Sequence, residues 1–277
     1  MIDSFINFLD GETAVLGIIG DPIAQVKAPR PLTALMQQEG LNAVLVPMHV
    51  TAADVPALLD LMLRVRNVAG IIVTVPHKQL VSRLGMTATA ASQQAGAVNL
   101  LRKVATNDSA SWEADLKDGT GFVAGLRRNG CDVKGRKVAM AGAGGAGNAI
   151  AFALAAAGAS DLAIRDVDAA KQAELVSRLQ RAGYPARAWD GAGGADLLVN
   201  ATPLGMKQTD PLPIDASAIE AGVTVADVIM EPRVTPLLAL AESRGAKVIH
   251  GHHMMDEQLN EMVRFFAPSI HFVQARP

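Results

Sequence analysis

A glycine-rich segment in the second half of the chain has the composition of a phosphate-binding turn. Gly142, Gly144 and Gly147 fall on the pattern G-x-G-x-x-G, between a predicted strand at 136–141 and an alanine-rich helical run. In that setting the first glycine permits a tight turn, the second lets the backbone approach a pyrophosphate, and the third lets the helix lie close to the sheet. The N–H groups at the start of the helix then attract phosphate. We predict a dinucleotide site rather than an ordinary strand–helix turn, with contacts from Gly142, Gly144, Gly145, Ala146 and Gly147.

An aspartate after the next predicted strand bears on the choice of cofactor. Asp166 follows the short predicted strand 162–165. Dinucleotide folds place an acidic residue on the ribose about 20 residues after the glycine-rich turn, and Asp166 lies near that spacing. A carboxylate there accepts hydrogen bonds from a 2′-hydroxyl and repels a 2′-phosphate. The sequence therefore favours NAD. Asp168 takes this role if the strand ends later, and Arg165 leaves NADP open as the alternative.

The elements that position these residues alternate along the chain. Short apolar runs predict strands and longer amphipathic runs predict helices, an alternation typical of βαβ units with parallel sheets. A polar segment at 103–118 predicts a loop or hairpin leading into a domain boundary. We predict strands at 14–19, 43–48, 69–75, 136–141, 162–165, 196–200 and 223–228, and helices at 30–38, 55–66, 120–129, 146–157, 169–182, 236–244 and 256–266.

Composition excludes several classes of protein. The 277 residues suggest about two domains. A 50% hydrophobic and 19% charged composition argues against disorder. The net charge of −2 argues against nucleic-acid and membrane partners. The single cysteine, Cys131, excludes an internal disulfide and a cysteine-cluster metal site. With no bilayer-length apolar run and no basic start typical of a secretory signal, we expect a cytoplasmic protein.

Six short motifs lie in order along nearly the whole chain. They are Gly70-Ile-Ile-Val-Thr-Val-Pro-His-Lys78, Gly96-Ala-Val-Asn99, Asp118-Gly-Thr-Gly-Phe122, the glycine-rich turn, Asn200-Ala-Thr-Pro-Leu-Gly-Met206 and Gly251-His-His-Met-Met-Asp-Glu-Gln258. Together they resemble the shikimate dehydrogenase family.

The resemblance implies an α/β protein with two domains. Residues 1–117 would form a substrate and catalytic domain with a mostly parallel sheet, and 118–250 a Rossmann domain that binds NAD or NADP. Residues 251–277 would form a C-terminal helix returning to the first domain, and the active site would lie in the cleft between the domains.

The resemblance also implies roles for individual residues. The catalytic lysine and aspartate of the family fall on Lys78 and Asp118. Oxidation of a secondary alcohol removes a hydride to the nicotinamide and a proton to a base, and a lysine near a carboxylate can handle that proton. The substrate-cleft residues of the family fall on Thr74, Asn99 and Gln258, and we expect further cofactor contacts at Asn200, Thr202, Met206, Val228 and Gly251.

The chain departs from the family where substrate is held. The family usually shows two serines, one residue apart before a proline, that grip the substrate carboxylate, and these positions are Val26 and Ala28 here. Each lost hydrogen bond to a charged group costs about 1.5–3 kcal/mol, so we expect weak or altered activity on shikimate. Lys27 or Arg30 can replace the lost donors. Other polar family positions are Ile72, Leu100, Leu116, Lys117 and Met230 here.

These observations leave three functions to separate. We favour an NAD-preferring dehydrogenase acting on a secondary alcohol of a cyclic hydroxy acid. A true shikimate or quinate dehydrogenase with a rearranged carboxylate grip is the alternative within enzymes, and a non-catalytic dinucleotide-binding sensor is the alternative of another class. The cluster of His250, His252 and His253 fits no zinc spacing, so we expect no metal there, and read it as cleft lining or solvated loop. We expect a monomer or a homodimer.

Overall fold

The computed structural model describes residues 9–105, 109–190 and 193–274, and the chain divides into two compact units. The first comprises Met1–Lys117 together with Leu259–Pro277, and the second comprises Asp118–Gln258. Both units are built from a six-stranded sheet and helices, which confirms the predicted α/β class. None of the helices in the described ranges is long and apolar enough to cross a bilayer.

The sheet of the first unit is mixed. Its strand order is β2-β1-β3-β5-β6-β4, with β1 parallel to β2 and β3, and β5 antiparallel to β3 and β6. Strands β5 and β6 form the hairpin expected at 103–118, of which residues 106–108 lie outside the described residues. The strands are β1 Ala14–Gly20, β2 Ala43–His49, β3 Val68–Val73, β4 Thr87–Ala88, β5 Leu100–Ala105 and β6 Ala110–Asp115.

Four helices accompany this sheet, two of which were not predicted. They are α1 Pro29–Gln38, α2 Val55–Arg64, α3 Lys78–Ser82 and α4 Ala90–Ala95. The last two span five and six residues, too few for a helical period to stand out in the sequence. The predicted strand at 69–75 ends early, at Val73, because the chain turns at Pro76 into α3. All six residues of β3 are buried, as expected for a central strand.

The sheet of the second unit is wholly parallel. Its order, β12-β11-β10-β7-β8-β9, is that of a doubly wound dinucleotide fold, and the order reverses between β7 and β10. Ligands bind such sheets outside the carboxyl ends of the strands at this switch point. The elements are α5 Asp118–Arg128, β7 Lys137–Ala141, α6 Gly145–Ala156, β8 Asp161–Arg165, α7 Ala169–Arg181, β9 Ala186–Ala188, β10 Leu197–Asn200, β11 Thr224–Asp227, α8 Pro236–Ser243 and β12 Lys247–Ile249.

The last helix, α9, spans Gly251–Gln274 and starts five residues before the predicted 256–266 segment. The division between the units falls inside it, after Gln258. Its later part belongs to the first unit, where Phe266 is fully buried and lies so close to Gly70 that a side chain there would collide with the ring. Ser269 Oγ also donates a hydrogen bond to the carbonyl of Lys103 at 2.8 Å.

Candidate functional site

The glycine-rich turn follows β7 at the switch point and has the geometry its spacing predicts. Gly142 has φ +108°, and a Cβ there would lie 2.7 Å from the carbonyl carbon of Ala201. A Cβ on Gly147 would collide with the carbonyl group of Gly142. Gly144 is the exception: it is exposed, and a Cβ there would meet nothing within 4 Å. The turn is therefore tightly packed at Gly142 and Gly147 and open to solvent at Gly144, as the approach of a phosphate to the backbone requires.

One residue that holds this turn was not singled out from the sequence. Asn148, in the first turns of α6, is buried, and its Nδ2 donates to the carbonyls of Ala143 at 2.7 Å and Gly144 at 2.9 Å. Its Oδ1 accepts from Arg178 Nη1 at 2.9 Å. Because both ends of the amide are used, the side chain is held in one orientation and fixes the path of the turn.

A cavity of about 480 Å³ opens beside the turn, within the second unit. This volume is within the ~300–1,000 Å³ range of small-molecule sites. It extends from the ends of β7 and β8 to the segment after β10, where the topology predicts a dinucleotide. The lining residues are Ala141, Gly142, Gly144, Arg165, Asp166, Val167, Lys171, Ala201, Thr202, Pro203, Leu204, Pro211, Leu212, Pro213 and Asp215.

Acidic residues cluster where the ribose is expected. Strand β8 ends at Arg165, so Asp166 is the first residue after it, and its Oδ2 accepts from the amide of Ala143 in the turn at 2.6 Å. Asp168 instead caps α7, where hydrogen bonds from the amides of Lys171 and Ala170 lower the pKa of its carboxyl. The strand therefore ends where it was predicted to end, directly before Asp166, and Asp168 serves the helix.

Asn200, at the end of β10, is fully engaged inside the protein. It is 0% exposed, and its Nδ2 donates to Leu204 O and to Asp227 Oδ1, both at 3.0 Å. Its Oδ1 accepts from the amide and the hydroxyl of Thr202. Both donor hydrogens and both lone pairs are used. Asn200 therefore shapes the cavity wall after β10, and its side-chain amide has no hydrogen-bonding capacity left for a cofactor.

Asp227, at the end of β11, completes this network and was missed from the sequence. It is 1% exposed, and burial raises the pKa of its carboxyl. Its Oδ1 also accepts from the amide of Ile229 at 2.9 Å, and its Oδ2 accepts from the hydroxyl of Thr235 at 2.8 Å. The sequence did carry one signal for Asp227, because a polar residue at the end of an apolar strand in a parallel sheet indicates a position at the ligand-binding edge. The network joins the segments that follow β10 and β11.

The remaining predicted cofactor residues lie on those segments. Thr202 Oγ1 accepts from the amide of Leu204 at 3.0 Å and lines the cavity. Met206 is 48% exposed, and Val228 donates its amide to the carbonyl of Asn200 at 3.1 Å. Gly251 opens α9, and a Cβ there would lie 2.7 Å from the carbonyl carbon of Val228. These positions all follow parallel strands at their carboxyl ends.

Lys78 opens the short helix α3 in the first unit, shortly after the carboxyl end of β3. The side chain is half-buried, and the carbonyl of Lys78 accepts from the amide of Val98 at 3.0 Å. The preceding residue, His77, is 1% exposed, and its Nε2 donates to the carbonyl of Val50 at 2.7 Å. Among the described residues, Nδ1 of this ring has no hydrogen-bond partner. The backbone that carries Lys78 is thus tied on both sides.

The other predicted substrate residues of the first unit lie near strand ends. Thr74, half-buried, follows β3, and its amide donates to the carbonyl of Ile19 at 2.9 Å. Asn99 is buried before β5, and its Oδ1 accepts from the amide of Lys117 at 2.9 Å. The Lys117 side chain forms an ion pair with Asp115 at 3.0 Å, so the lysine found at this family position has a structural partner.

The segment that lacks the family's serines has few polar groups to offer. Val26 is half-buried, Lys27 is exposed, and Ala28 is buried at the N-cap of α1, where no side chain bonds the helix amides. The departures at Ile72, Leu100 and Leu116 are buried in the core. The apolar replacements are therefore accommodated by packing.

Asp118 begins α5 in the second unit and is 4% exposed. Its Oδ1 accepts from Gln258 Nε2 at 2.7 Å, and Gln258 is equally buried. Gly121 makes this contact feasible, because a Cβ there would collide with Cγ of Gln258. The structure thus brings together two of the predicted site residues, one from each end of the second unit's sequence.

The histidine cluster at the start of α9 is helical in part and not a loop. The rings of His252 and His253 have centroids 4.0 Å apart, and His250 lies 5.5 Å from His252. Partial burial, followed by repulsion from neighbouring imidazoles and from Arg233, lowers the pKa of His252 and His253. No group of three histidine, cysteine, aspartate or glutamate side chains in the described ranges is arranged to hold a metal ion.

Known proteins are similar to this chain in sequence and in fold. A family model described as shikimate dehydrogenase substrate binding domain matches residues 18–101. The shikimate dehydrogenase (NADP(+)) of Rubrobacter xylanophilus is 36% identical over 254 residues, covering 89% of this chain and 88% of that protein. The quinate dehydrogenase of Corynebacterium glutamicum in complex with NAD is 27% identical, with a TM-score of 0.82 and coverage of 95% and 97% of the two chains. The shikimate dehydrogenase of Aquifex aeolicus is 25% identical, with a TM-score of 0.83 and coverage of 97% and 100%.

Proposed function

The chain belongs to the shikimate dehydrogenase family of NAD(P)-dependent alcohol dehydrogenases, and we propose that it acts on the secondary alcohol of a cyclic hydroxy acid. The observation that carries the proposal is the cavity beside the glycine-rich turn, where Gly144 leaves open space at the N-terminus of α6. When bound there, the nicotinamide dinucleotide accepts or supplies the hydride. We assign substrate binding to residues 1–117, cofactor binding to 118–250, and the return to the first domain to the C-terminal segment 251–277, of which Leu259–Pro277 belongs to the first unit.

In this proposal Lys78 and Asp118 handle the proton of the alcohol. In the oxidation the neutral amine of Lys78 accepts the hydroxyl proton and becomes an ammonium, in the reverse reduction the ammonium returns a proton to the carbonyl oxygen, and the carboxylate of Asp118 positions the lysine for both. Two observations support these roles. The backbone on either side of Lys78 is fixed by the hydrogen bonds of His77 and Val98. The Asp118 carboxylate is buried and held in one orientation by Gln258.

We further propose that NAD is the preferred cofactor. Asp166 follows β8 directly and lines the cavity, where its carboxylate accepts a ribose 2′-hydroxyl and repels a 2′-phosphate. The two cations of the lining support the same choice, because each faces a carboxylate. Arg165 lies 3.0 Å from Asp215, and Lys171 lies 3.7 Å from Asp168.

We also propose that shikimate is a poor substrate. The loss of two hydroxyl donors at Val26 and Ala28 removes about 1.5–3 kcal/mol each from the grip on a carboxylate, or a factor of roughly 10–150 per donor. The exposed cations of this segment, Lys27 and Arg30, can offset part of the loss. A cyclic hydroxy acid with fewer hydroxyl groups fits the more apolar segment better.

The test is a steady-state assay of shikimate, quinate and a panel of cyclic hydroxy acids, with NAD and with NADP. We expect a higher kcat/KM with NAD for every active substrate, and values for shikimate well below those of its best competitor. Efficient turnover of shikimate or quinate would instead identify a true dehydrogenase of that acid, with a rearranged grip. NAD binding without turnover of any alcohol would favour the sensor.

Lys78→Met tests the chemical role directly. We expect kcat to fall by about 10²–10⁴-fold, the usual range for general acid–base groups, with the Kd of NAD unchanged. Lys134→Met is the matched control, because Lys134 is exposed and lies away from the predicted site residues. Unchanged kcat in Lys78→Met would refute the assignment of proton transfer to this residue.

Asp166→Ala tests cofactor choice and should relax discrimination against NADP.

A further inference from the structure

We propose that Asp215 is a cofactor-specificity residue, which acts by holding Arg165 in an ion pair at the cavity so that its guanidinium is withheld from a 2′-phosphate. This inference rests on the proposed dinucleotide function of that cavity. Asp215 belongs to none of the motifs in the sequence and lies outside the glycine-rich turn and the strand ends that define the fold. Its importance comes only from where the tertiary structure places it.

The two residues meet across the lining of the cavity. Arg165 is the last residue of β8, and Asp215 precedes a single 3-10 turn at Ala216–Ala218, 50 residues further along the chain. Arg165 Nη1 lies 3.0 Å from Asp215 Oδ2, and both side chains line the cavity. The side chains are 48% and 56% exposed, so the pair lies at the solvent-facing part of the lining.

The position of Arg165 explains why the pairing matters. It immediately precedes Asp166, the residue expected at the ribose, so it is the arginine best placed to reach a 2′-phosphate. An arginine binds a phosphate through two parallel hydrogen bonds, which makes it the side chain best suited to select NADP. With Asp215 as partner, part of that hydrogen-bonding capacity is already used.

Charge acts in the same direction. The lining carries Arg165 and Lys171 against Asp166 and Asp215, and Lys171 also faces Asp168. Two positive and three negative side chains leave this region with a net charge of −1. A 2′-phosphate adds about −1.5 to −2 more at neutral pH, whereas a 2′-hydroxyl adds none. Asp215 therefore disfavours NADP both by occupying Arg165 and by direct repulsion.

The size of the effect follows from the exposure of the pair. Exposed ion pairs shift an equilibrium by only about 2–5-fold, and repulsion between charges in high dielectric adds a similar modest factor. We expect removal of the Asp215 charge to improve binding of a 2′-phosphate by about 3–10-fold. Asp215 thus tunes a preference that Asp166 sets.

The experiment is isothermal titration with adenosine 2′,5′-bisphosphate and with 5′-AMP, which differ only in the 2′-phosphate. Wild type, Asp215→Asn, Arg165→Gln and the double variant form a complete cycle. In Asp215→Asn the Kd of the bisphosphate should fall by about 3–10-fold while the Kd of 5′-AMP changes less than twofold. In the double variant, compared with Arg165→Gln, the gain should shrink to the part that comes from relieved repulsion, about twofold, because the freed arginine is gone.

Asp161→Asn is the matched control. Asp161 is the first residue of the same strand, and its carboxylate pairs at 3.0 Å with Arg187, an arginine about as exposed as Arg165, away from the cavity lining. The same gain in this control, a gain of full size in the double variant, or equal changes for both ligands would overturn the role of Asp215. Failure of wild type to bind either ligand would instead overturn the proposed dinucleotide site, and this inference with it.

Discussion

Two alanine substitutions in the glycine-rich turn should separate binding from folding. Gly144→Ala and Gly147→Ala add the same methyl group three residues apart. At Gly144 the new Cβ meets nothing within 4 Å and points into open space beside the cavity. At Gly147 it lies 2.8 Å from the carbonyl carbon of Gly142, well inside the ~3.5–4.0 Å separation at which carbon atoms attract one another.

The expected magnitudes follow from those surroundings. Overpacking of this kind costs about 1–3 kcal/mol, so Gly147→Ala should lower the free energy of unfolding by that amount. For 150–250 residues each kcal/mol corresponds to about 2–4 °C in Tm. Gly144 has ordinary extended backbone, so alanine there should leave Tm unchanged or slightly higher. Its methyl group displaces a phosphate from the helix amides, and each lost charged hydrogen bond weakens binding by about 10–150-fold.

Thermal melts followed by circular dichroism and titration with NAD measure both quantities on the same preparations. We expect Gly144→Ala to keep its Tm and lose NAD affinity, and Gly147→Ala to lose several degrees of Tm. The placement of the pyrophosphate over Gly144 would be refuted if Gly144→Ala bound NAD with unchanged Kd. The packing explanation would be refuted if Gly147→Ala melted with the wild type.

Three further substitutions test the surrounding structure. Burial raises the pKa of the Asp227 carboxyl above its ordinary value of 3.8, so the folded state binds that proton more tightly than the unfolded state. As pH rises from 3.8 through the raised pKa, the wild type should lose stability relative to Asp227→Asn. A Tm difference between the two proteins that does not change with pH would contradict this. Gln258→Leu leaves the buried Asp118 carboxylate short of one donor and should cost about 1.5–3 kcal/mol in urea unfolding; a change below ~0.5 kcal/mol would show that the bond is dispensable. Gly70→Ala places a Cβ 2.7 Å from the carbonyl oxygen of Leu101 and should cost about 1–3 kcal/mol, with an unchanged urea midpoint as the contrary result.

Much of the fold could be predicted because its signals are local. The apolar runs that became β1, β2 and β7 differ from their predicted bounds by one residue at most. Nearly every residue of β1 and β7 is buried, and a strand buried on both faces needs an uninterrupted hydrophobic stretch. The glycine-rich turn was equally legible, because only glycine tolerates φ +108° and the close backbone approach that the turn requires. Family motifs then marked Lys78 and Asp118 as candidates that spacing alone leaves ambiguous.

Short and partnered features were less accessible. Helix α3 has five residues, and helix α9 begins at Gly251, a residue type that normally ends or interrupts a helix. Asn200 belongs to a recognisable motif, yet the sequence could not reveal that Asp227 and Leu204 use both donors of its amide. Saturation of a polar group depends on neighbours that are distant in the chain.

The amino-acid sequence by itself determined the class of fold, the position of the glycine-rich turn and the residues proposed for proton transfer. Those properties depend on side-chain periodicity, glycine sterics and residue chemistry within a few positions. Only the tertiary structure decided which polar groups are already occupied, as in the pairing of Arg165 with Asp215. Such pairs join residues tens of positions apart, and only folding brings their charges within reach of each other.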